Sequence, residues 1–370
     1  MKKIVGTNLG NWLVLEKWMS PSVFAGTDAE DETWLARLLP REELEKRMEK
    51  HRETYVTEED FALIASHGVN LVRIPVPYFI FGDRPPFIGC IEYLDRAFAW
   101  AQKYGLKVLI DLHTVPGSQN GYDNGGLTGV CKWCKDKEEV DFVLTVLERL
   151  AKRYACHPAL YGIETLNEPI SLSVYLTAPS TGKARDKEEA KGSGHVPMRF
   201  LKAFYEDAYW AMRKYLGEDK VIVFHDGFRL GRWGAFFRKK GMQNVMLDTH
   251  IYIFAMENFV PFHAMWVYRA YIRINAWLLK RVSRHIPVVV GEWCIANRRA
   301  QKLLNTPGAE AQCRKAYREV ADLQKNVWEQ TAGHIYWSYQ LDRDKNKAFA
   351  ELWKNGWDLS RCWRNDWISF

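Results

Sequence analysis

Eight short apolar runs, rich in β-branched residues, recur along the chain. They span Ile4–Leu9, Asn70–Pro75, Lys107–His113, Tyr161–Asn167, Val221–Asp226, Asn244–Tyr252, Pro287–Trp293 and His334–Tyr339. Most are nearly continuous instead of alternating between apolar and polar residues, which is typical of strands covered on both faces. The pattern therefore predicts eight buried parallel strands.

Helical patterns lie between these runs. Residues 138–154 place Val140, Val143, Leu144, Leu147 and Leu150 on one helical face. Residues 200–216 and 311–330 show a similar period, and Thr57-Glu58-Glu59-Asp60 is close to a capping box that starts a helix. Strands that alternate with helices predict an α/β fold, namely a single (β/α)8 TIM barrel with elaborated loops at its C-terminal face.

Two other arrangements are alternatives to the single barrel. A doubly wound open sheet is disfavoured because no GxGxxG follows any of the runs. The 370 residues allow two domains by length alone, but no low-complexity linker divides them, and residues 178–197 look like a long surface loop. We therefore expect residues 1–370 to form one catalytic barrel domain.

Composition narrows the class of protein. Hydrophobic residues make up 47% and charged residues 26%, which excludes a disordered chain. The net charge of +7 is spread along the sequence without a basic block, so we expect no nucleic-acid partner. No apolar run approaches the length of a membrane span, so we expect no membrane partner. No obligatory protein partner is evident.

Cysteine usage bears on compartment and on metals. The chain has seven cysteines, an odd number, so we expect reduced thiols. No apolar stretch follows Met1-Lys2-Lys3, so we expect a cytoplasmic protein, or a secreted one if a leader was removed. Cys131 and Cys134 have the spacing of half a zinc site, but no second pair matches them. We expect neither a metal nor a cofactor.

Polar residues collect where the predicted strands end, which in a barrel is the face that carries catalytic groups. Glu168 follows the fourth run, and Glu292 is the next-to-last residue of the seventh. Two carboxyls that flank one bond are what glycosidic cleavage requires. A separation of about 5–5.5 Å predicts retention of configuration and about 6.5–9.5 Å predicts inversion.

The neighbouring residues suggest how the two carboxyls divide the work. We expect Arg73 and Tyr252 to reach Glu292 and to depress its pKa, which suits a nucleophile, and burial to raise the pKa of Glu168, which suits an acid/base. Asn167 is placed to bind a sugar 2-hydroxyl. His113, His250 and Trp337 complete the predicted face, with Trp337 as a platform under a sugar ring, and Asp111 is expected one layer deeper.

Several segments together resemble glycoside hydrolase family 5, and within it the fungal exo-β-1,3-glucanase-like branch. The matching segments are Asn8-Leu9-Gly10-Asn11-Trp12-Leu13-Val14-Leu15-Glu16, Asp111-Leu112-His113 with Pro116 to Asn124, Leu166-Asn167-Glu168-Pro169, Asp248-Thr249-His250-Ile251-Tyr252 and Gly291-Glu292-Trp293. They run in order over nearly the whole chain.

This resemblance implies a (β/α)8 barrel and a retaining double displacement on a gluco-configured sugar. It also implies that Glu16 and Asp123 hold hydroxyls at a closed end of the pocket, which makes cleavage exo, and that Tyr122 stacks on the aglycone side. The branch has an Arg after the nucleophile, for which only Arg298 and Arg299 are candidates here.

The expected function is therefore a retaining β-glycoside hydrolase that is exo-acting on β-glucan oligosaccharides or β-glucosides. An endo-acting β-glucanase of the same family and a sugar-binding barrel without catalysis are the alternatives. A phosphate-binding isomerase barrel would need a Gly-rich loop after the seventh or eighth strand, where Glu-Trp-Cys and Trp-Ser-Tyr stand instead.

Overall fold

All eight predicted strands form, and they close into a parallel barrel in which each strand pairs with its sequence neighbour and β1 pairs with β8. This computed structural model describes residues 3–178, 180–260, 262–304, 306–341 and 352–370. Met1 and Lys2 lie outside the described residues, and so does Pro179, which belongs to the predicted loop. The strands are β1 (Ile4–Asn8), β2 (Leu71–Val76), β3 (Lys107–Leu112), β4 (Leu160–Glu164), β5 (Val221–His225), β6 (Val245–His250), β7 (Val288–Trp293) and β8 (Gly333–Tyr336). The predicted barrel is confirmed.

Helices cover the outside of the barrel. In the described residues they are α1 (Glu32–Leu38), α2 (Arg41–Tyr55), α3 (Glu58–Ser66), α4 (Ile91–Lys103), α5 (Lys137–Tyr154), α6 (Leu172–Thr177), α7 (Lys187–Ala190), α8 (Met198–Arg213), α9 (Phe236–Lys239), α10 (Ile253–Glu257), α11 (Met265–Ser283), α12 (Arg298–Leu304), α13 (Glu310–Trp328) and α14 (Leu359–Arg364). The Thr57 capping box opens α3, with the Asp60 carboxylate accepting from the Thr57 amide at 2.8 Å.

The link between β5 and β6 departs from the strand–helix alternation. It contains only a 3₁₀ turn and the four-residue helix α9. Four glycines, at positions 227, 231, 234 and 241, interrupt this stretch, and glycine disfavours a helix interior. As a result, this side of the barrel has no long helix between α8 and α11.

The barrel interior has two layers of opposite character. The lower layer is apolar and contains Ile4, Leu71, Leu109, Val223, Met246, Val289 and Ile335. Two residues further along their strands, the same inward direction is taken by polar groups, because side chains two apart share a face. These are Arg73, Asp111, Glu164, His225 and Asp248, all fully buried. The upper layer forms the floor of the candidate site.

Irregular register occurs where the site is built. The pairing of β6 with β7 shifts between Thr249 and His250, so that His250 lies opposite Glu292, and the pairing of β7 with β8 shifts after Val290. Such bulges redirect side chains next to active sites. In the described residues, no helix is both long and apolar enough to span a bilayer.

Candidate active site

Glu168 and Glu292 meet at the C-terminal mouth of the barrel through one shared neighbour. The His250 Nδ1 atom lies 2.7 Å from Glu168 Oε1 and 3.3 Å from Glu292 Oε2. These two carboxylate oxygens are therefore at most about 6 Å apart. A single sugar bond fits between groups at this spacing.

Glu292 is held by two hydrogen-bond donors. Arg73 Nη1 donates to its Oε1 at 3.1 Å, and the Tyr252 hydroxyl donates to its Oε2 at 2.7 Å. The strand β7 delivers the side chain and the bulge beside it turns it inward. The predicted contacts of Arg73 and Tyr252 with Glu292 are confirmed.

Glu168 sits four residues beyond the end of β4, not at the strand end itself. Its backbone adopts φ +44°, a region that non-glycine residues rarely occupy. The Asn167 amide donates to the Leu112 carbonyl, and Gln119 Nε2 donates to the Asn167 carbonyl, which fixes this turn. The turn points the Glu168 carboxylate into the mouth, where Asn124 Nδ2 donates to it at 2.9 Å.

The acid–base balance of the pair differs from the sequence-based expectation. Burial raises the pKa of Glu292, and the positive charges of His250 and Arg73 offset this only in part. Burial also acts to raise the pKa of Glu168, but the hydrogen bond and charge of His250 outweigh it, so this pKa lies below its ordinary value. Both predicted directions were wrong, because the sequence revealed neither the bond of His250 to Glu168 nor that burial of Glu292 outweighs the cations around it.

Arg73 is the hub of the upper barrel layer. Its guanidinium contacts Glu164 Oε2 at 2.8 Å, Asp111 Oδ2 at 3.1 Å and Asn167 Oδ1 at 2.9 Å, in addition to Glu292. Burial nevertheless raises the pKa of Glu164 well above its ordinary value. One cation thus orients several buried carboxyl groups beneath the site.

His113 and Trp337 form a flat wall. Their rings stack with centroids 5.5 Å apart and an interplanar angle of 9°. Asp111 accepts from His113 Nδ1 at 2.5 Å, which leaves His113 Nε2 facing Asn167 Nδ2 at 3.4 Å. Asp111 therefore lies one layer deeper, as expected, and orients His113.

Glu16 and Asp123 come together on one side of the mouth. Burial and the nearby charges of Asp123, Glu292 and Glu168 raise the pKa of Glu16 well above its ordinary value. Burial likewise raises the pKa of Asp123, which is opposed by the positive charge of Lys183. The Trp18 indole donates to Glu16 Oε2 at 2.8 Å. Tyr122 stands nearby, and burial together with the charge of Glu168 raises its pKa to about 12.

The two arginine candidates after Glu292 are engaged elsewhere. The Arg298 guanidinium donates to the Glu257 carbonyl and to Asn258, and Arg299 pairs with Glu319. Neither residue is placed by these bonds beside Glu16 or Asp123. The side of the pocket with Glu16 and Asp123 instead has Lys183 as a nearby cation.

Sequence reasoning assigned no role to four residues of the site. Glu164 and His225 lie in the upper barrel layer, Asn124 holds Glu168, and Trp357 packs against Tyr252 with ring centroids 5.1 Å apart. Glu164 had a visible signal, since a carboxylate two residues after inward-facing Gly162 interrupts an apolar run. Trp357 had none, because it comes from a short 3₁₀ helix, Leu352–Trp357, that follows β8.

Glu168, His225 and His250 form a group whose ligand atoms lie within 4.8 Å of one another, a set that suits a transition metal by type. The tautomer of His225 argues against such a role. The Gly227 amide donates to its Nδ1 at 2.9 Å, so the hydrogen of the neutral ring is on Nε2. Burial lowers the pKa of His225 well below its ordinary value, which keeps the ring neutral.

Comparison with known proteins places this geometry in a family. Residues 42–342 match the profile of cellulase, glycosyl hydrolase family 5. The chain belongs to glycosyl hydrolase family 5. It is a glycoside hydrolase that acts on O-glycosyl bonds of carbohydrate substrates, and the predicted family and enzyme class are confirmed.

Its similar relatives in sequence and in structure agree with this assignment. The chain is 38% identical to a probable glucan 1,3-β-glucosidase A of Emericella nidulans over 83% of this chain and 71% of that protein. It is 33% identical to a glucan 1,3-β-glucosidase of Blumeria graminis, over 96% of this chain and 86% of the other. The rutinosidase of Aspergillus niger shares the fold with a TM-score of 0.70 at 20% identity, covering 93% and 91% of the two chains.

Proposed function

We propose that this chain is an exo-acting, retaining β-glucosidase of the glucan 1,3-β-glucosidase type, with Glu292 as nucleophile and Glu168 as acid/base. The observation that carries the proposal is the meeting of both carboxylates at His250 Nδ1. The similarity to glucan 1,3-β-glucosidases supports β-1,3-linked glucan oligosaccharides or β-glucosides as the substrate class.

In the first step Glu292 Oε attacks the anomeric carbon while Glu168 gives its proton to the leaving oxygen. In the second step Glu168 accepts a proton from water, which cleaves the glycosyl ester and restores Glu292. Arg73 and Tyr252 fix the Glu292 oxygens for attack, and Asn167 and His113 are placed to bind the sugar beside them. Trp337 supplies the flat surface beneath the ring.

The proton that Glu168 needs is held next to it. In the free protein the Glu168–His250 pair shares one proton across 2.7 Å, and the pKa of His250 is raised well above its ordinary value by the carboxylates that surround it. A bound sugar excludes water from the pair, and a low dielectric favours a neutral acid and imidazole over an ion pair. We infer that this transfer makes Glu168 the acid.

Exo action is supported by the carboxyl groups that border one side of the pocket. Glu16 is a buried acid close to both catalytic candidates, and Asp123 is a partly buried acid close to Glu168. Each carboxylate can accept hydrogen bonds from two sugar hydroxyls. The terminal sugar at the non-reducing end of a glucan has only free hydroxyls on that side, whereas an internal sugar is linked there to the next one. Carboxylates on this side of the pocket therefore favour binding of the terminal sugar.

The nucleophile assignment is tested with Glu292→Ala and sodium azide. Azide should restore activity on an aryl β-glucoside and yield the glycosyl azide of α configuration, because it attacks from the face that Glu292 vacates. Rescue by azide in Glu168→Ala, with a β-glycosyl azide as product, serves as the control. An absence of α-azide from Glu292→Ala overturns the assignment.

The mode of attack is tested by product profiling on β-1,3-, β-1,4- and β-1,6-linked glucans. We expect β-glucose as the first product, most rapidly from β-1,3-linked chains, with little loss of viscosity. Early release of longer oligosaccharides with a rapid fall in viscosity would establish the endo-acting alternative instead.

We also propose a reducing cytoplasmic location for this enzyme. What supports it is the odd number of cysteines, each of which is a free thiol in the structure. Thiol titration of protein purified without reductant should find seven thiols after unfolding, and a lower number would count against this location.

A further inference from the structure

One flank of the barrel carries a concentration of positive charge that the whole-chain value conceals. Residues 227–286 contain ten Lys and Arg residues but only two acids, Asp248 and Glu257. This is a net charge of +8, larger than the +7 of the entire chain. Both acids are buried, so this stretch exposes cations and no carboxylate. The diffuse charge expected from composition is therefore wrong for the folded protein.

The helix α11 is the centre of this flank. Its 19 residues hold Arg269, Arg273, Lys280 and Arg281, with Arg284 directly after it, and no acid. All five are exposed, and among the described residues none of them pairs with a carboxylate. Cations without carboxylate partners across a helix of about 28 Å favour a negatively charged partner surface.

Large apolar side chains stand out from the same flank. In the described part of the chain six such side chains are more than 60% exposed, and five of them lie between residues 259 and 277. They are Phe259, Phe262, Trp266, Ile274 and Trp277. On α11, Trp266, Arg269, Arg273, Ile274 and Trp277 follow helical spacing and share one outward stripe.

We propose that this flank is a binding face for the surface of an anionic phospholipid bilayer. Helices that lie in a membrane interface combine Lys and Arg with Trp, Phe and other apolar residues in this way. The inner face of α11 is already committed to the barrel through Val267, Tyr268, Ile272, Leu279 and Val282. The outer aromatic groups therefore add nothing to the core.

Charge decides between a bilayer and other occupants. A neutral glucan would stack on the aromatic groups but would gain nothing from the exposed cations of α11, and a second copy would bring equal positive charge against this face. Anionic lipid head groups attract each Lys or Arg near the surface, and removal of one such charge weakens partitioning about fivefold. The cytoplasmic leaflet supplies such lipids.

The test is co-sedimentation of the full chain with vesicles of phosphatidylcholine alone or mixed with phosphatidylserine. We expect binding to the mixed vesicles at about 0.1 M salt and its loss near 1 M, where charges are screened within about 3 Å. Arg273→Glu with Lys280→Glu, and separately Trp266→Ala with Trp277→Ala, should each weaken binding more than tenfold.

Matched controls come from other helices. Trp210→Ala removes an exposed Trp from α8, and Lys46→Glu with Lys50→Glu reverses two exposed charges on α2; both should leave vesicle binding unchanged. Hydrolysis of a soluble aryl β-glucoside checks that every variant is folded. Equal binding to neutral vesicles, binding to insoluble glucan but not to vesicles, or a stable dimer in sedimentation that the Trp variants dissociate would each overturn the proposal.

Discussion

At the scale of single residues, the site depends on how protons and charges are shared. His250 contacts both carboxylates, and Arg73 contacts Glu292 together with the buried acids below it. Neither residue needs to touch the reacting atoms to matter. Each sets the charge of a group that does. Substitution of His250 should therefore act mainly on activity, and substitution of Arg73 mainly on stability.

For His250→Gln, we expect a large loss of activity on substrates with poor leaving groups and a smaller loss on activated aryl glucosides. Without His250, the nucleophile Glu292 loses a positive charge that lowers its pKa, so the acidic limb of the pH–rate profile should move to higher pH. Kinetics across pH measure both effects. Tyr252→Phe is the control, since it removes a bond to Glu292 and should impair both substrate classes alike.

For Arg73→Met, we expect a loss of about 3–5 kcal/mol in the free energy of unfolding, because the buried carboxyls of Asp111, Glu164 and Glu292 lose the guanidinium that they share. Unpaired buried acids have raised pKa values, so they favour the folded state at low pH and oppose it as pH rises. The deficit should thus be smaller at pH 5 than at pH 8 in urea titrations. Arg41→Met, which breaks an exposed pair with Glu45, should cost less than about 0.5 kcal/mol.

At the scale of the elements, the strands could be predicted from sequence and the departures from regularity could not. Buried parallel strands leave continuous β-branched runs, which is why all eight were visible. The short α9, the bulges at His250 and the turn that carries Glu168 depend on contacts between distant residues. The pair Glu168 and Glu292 was predictable from strand order, but the bond of His250 to Glu168 was not.

The close approach of β6 and β7 at Gly291 should tolerate no side chain. A Cβ atom there would lie 2.0 Å from Asp248 Oδ2, while the Gly291 amide donates to Asp248 Oδ1 at 2.7 Å. For Gly291→Ala, we expect a loss of about 1–3 kcal/mol in thermal or urea unfolding and a marked loss of activity, since Glu292 follows directly. Gly231→Ala, where the nearest atom is 3.9 Å away, should behave like the parent.

On β8, His334 makes the fold sensitive to acid. It is fully buried against Trp293 and Phe370, neither ring nitrogen has a partner among the described residues, and burial lowers its pKa to about 3. Below pH about 6.5 the imidazole of this residue becomes protonated in the unfolded chain but stays neutral in the folded state. The free energy of unfolding therefore decreases as the pH is lowered.

For His334→Leu, we therefore expect little change in stability at pH 7 and a gain of about 2–3 kcal/mol over the parent near pH 4.5. Urea midpoints at the two pH values provide the comparison. A parent and variant that lose stability in parallel on acidification would contradict this account of His334.

At the scale of the whole molecule, the barrel divides its functions by direction. The C-terminal mouth gathers the carboxylates, the amides and the Trp337 wall, whereas the side between α8 and α11 gathers exposed cations and aromatic groups. Phe254 lies at the border of the two regions, with its ring 5.6 Å from that of Trp357. The substrate site and the cationic flank are thus neighbours.

The unequal distribution of charge has a consequence for how the protein behaves in a chromatographic column. At pH near 8.9 the positive and negative charges of the chain cancel, yet one side of the molecule still exposes its lysines and arginines. A permanent dipole of this kind turns the molecule toward any negatively charged support. Cation-exchange resin should retain the enzyme at its own isoelectric point and release it as salt is added.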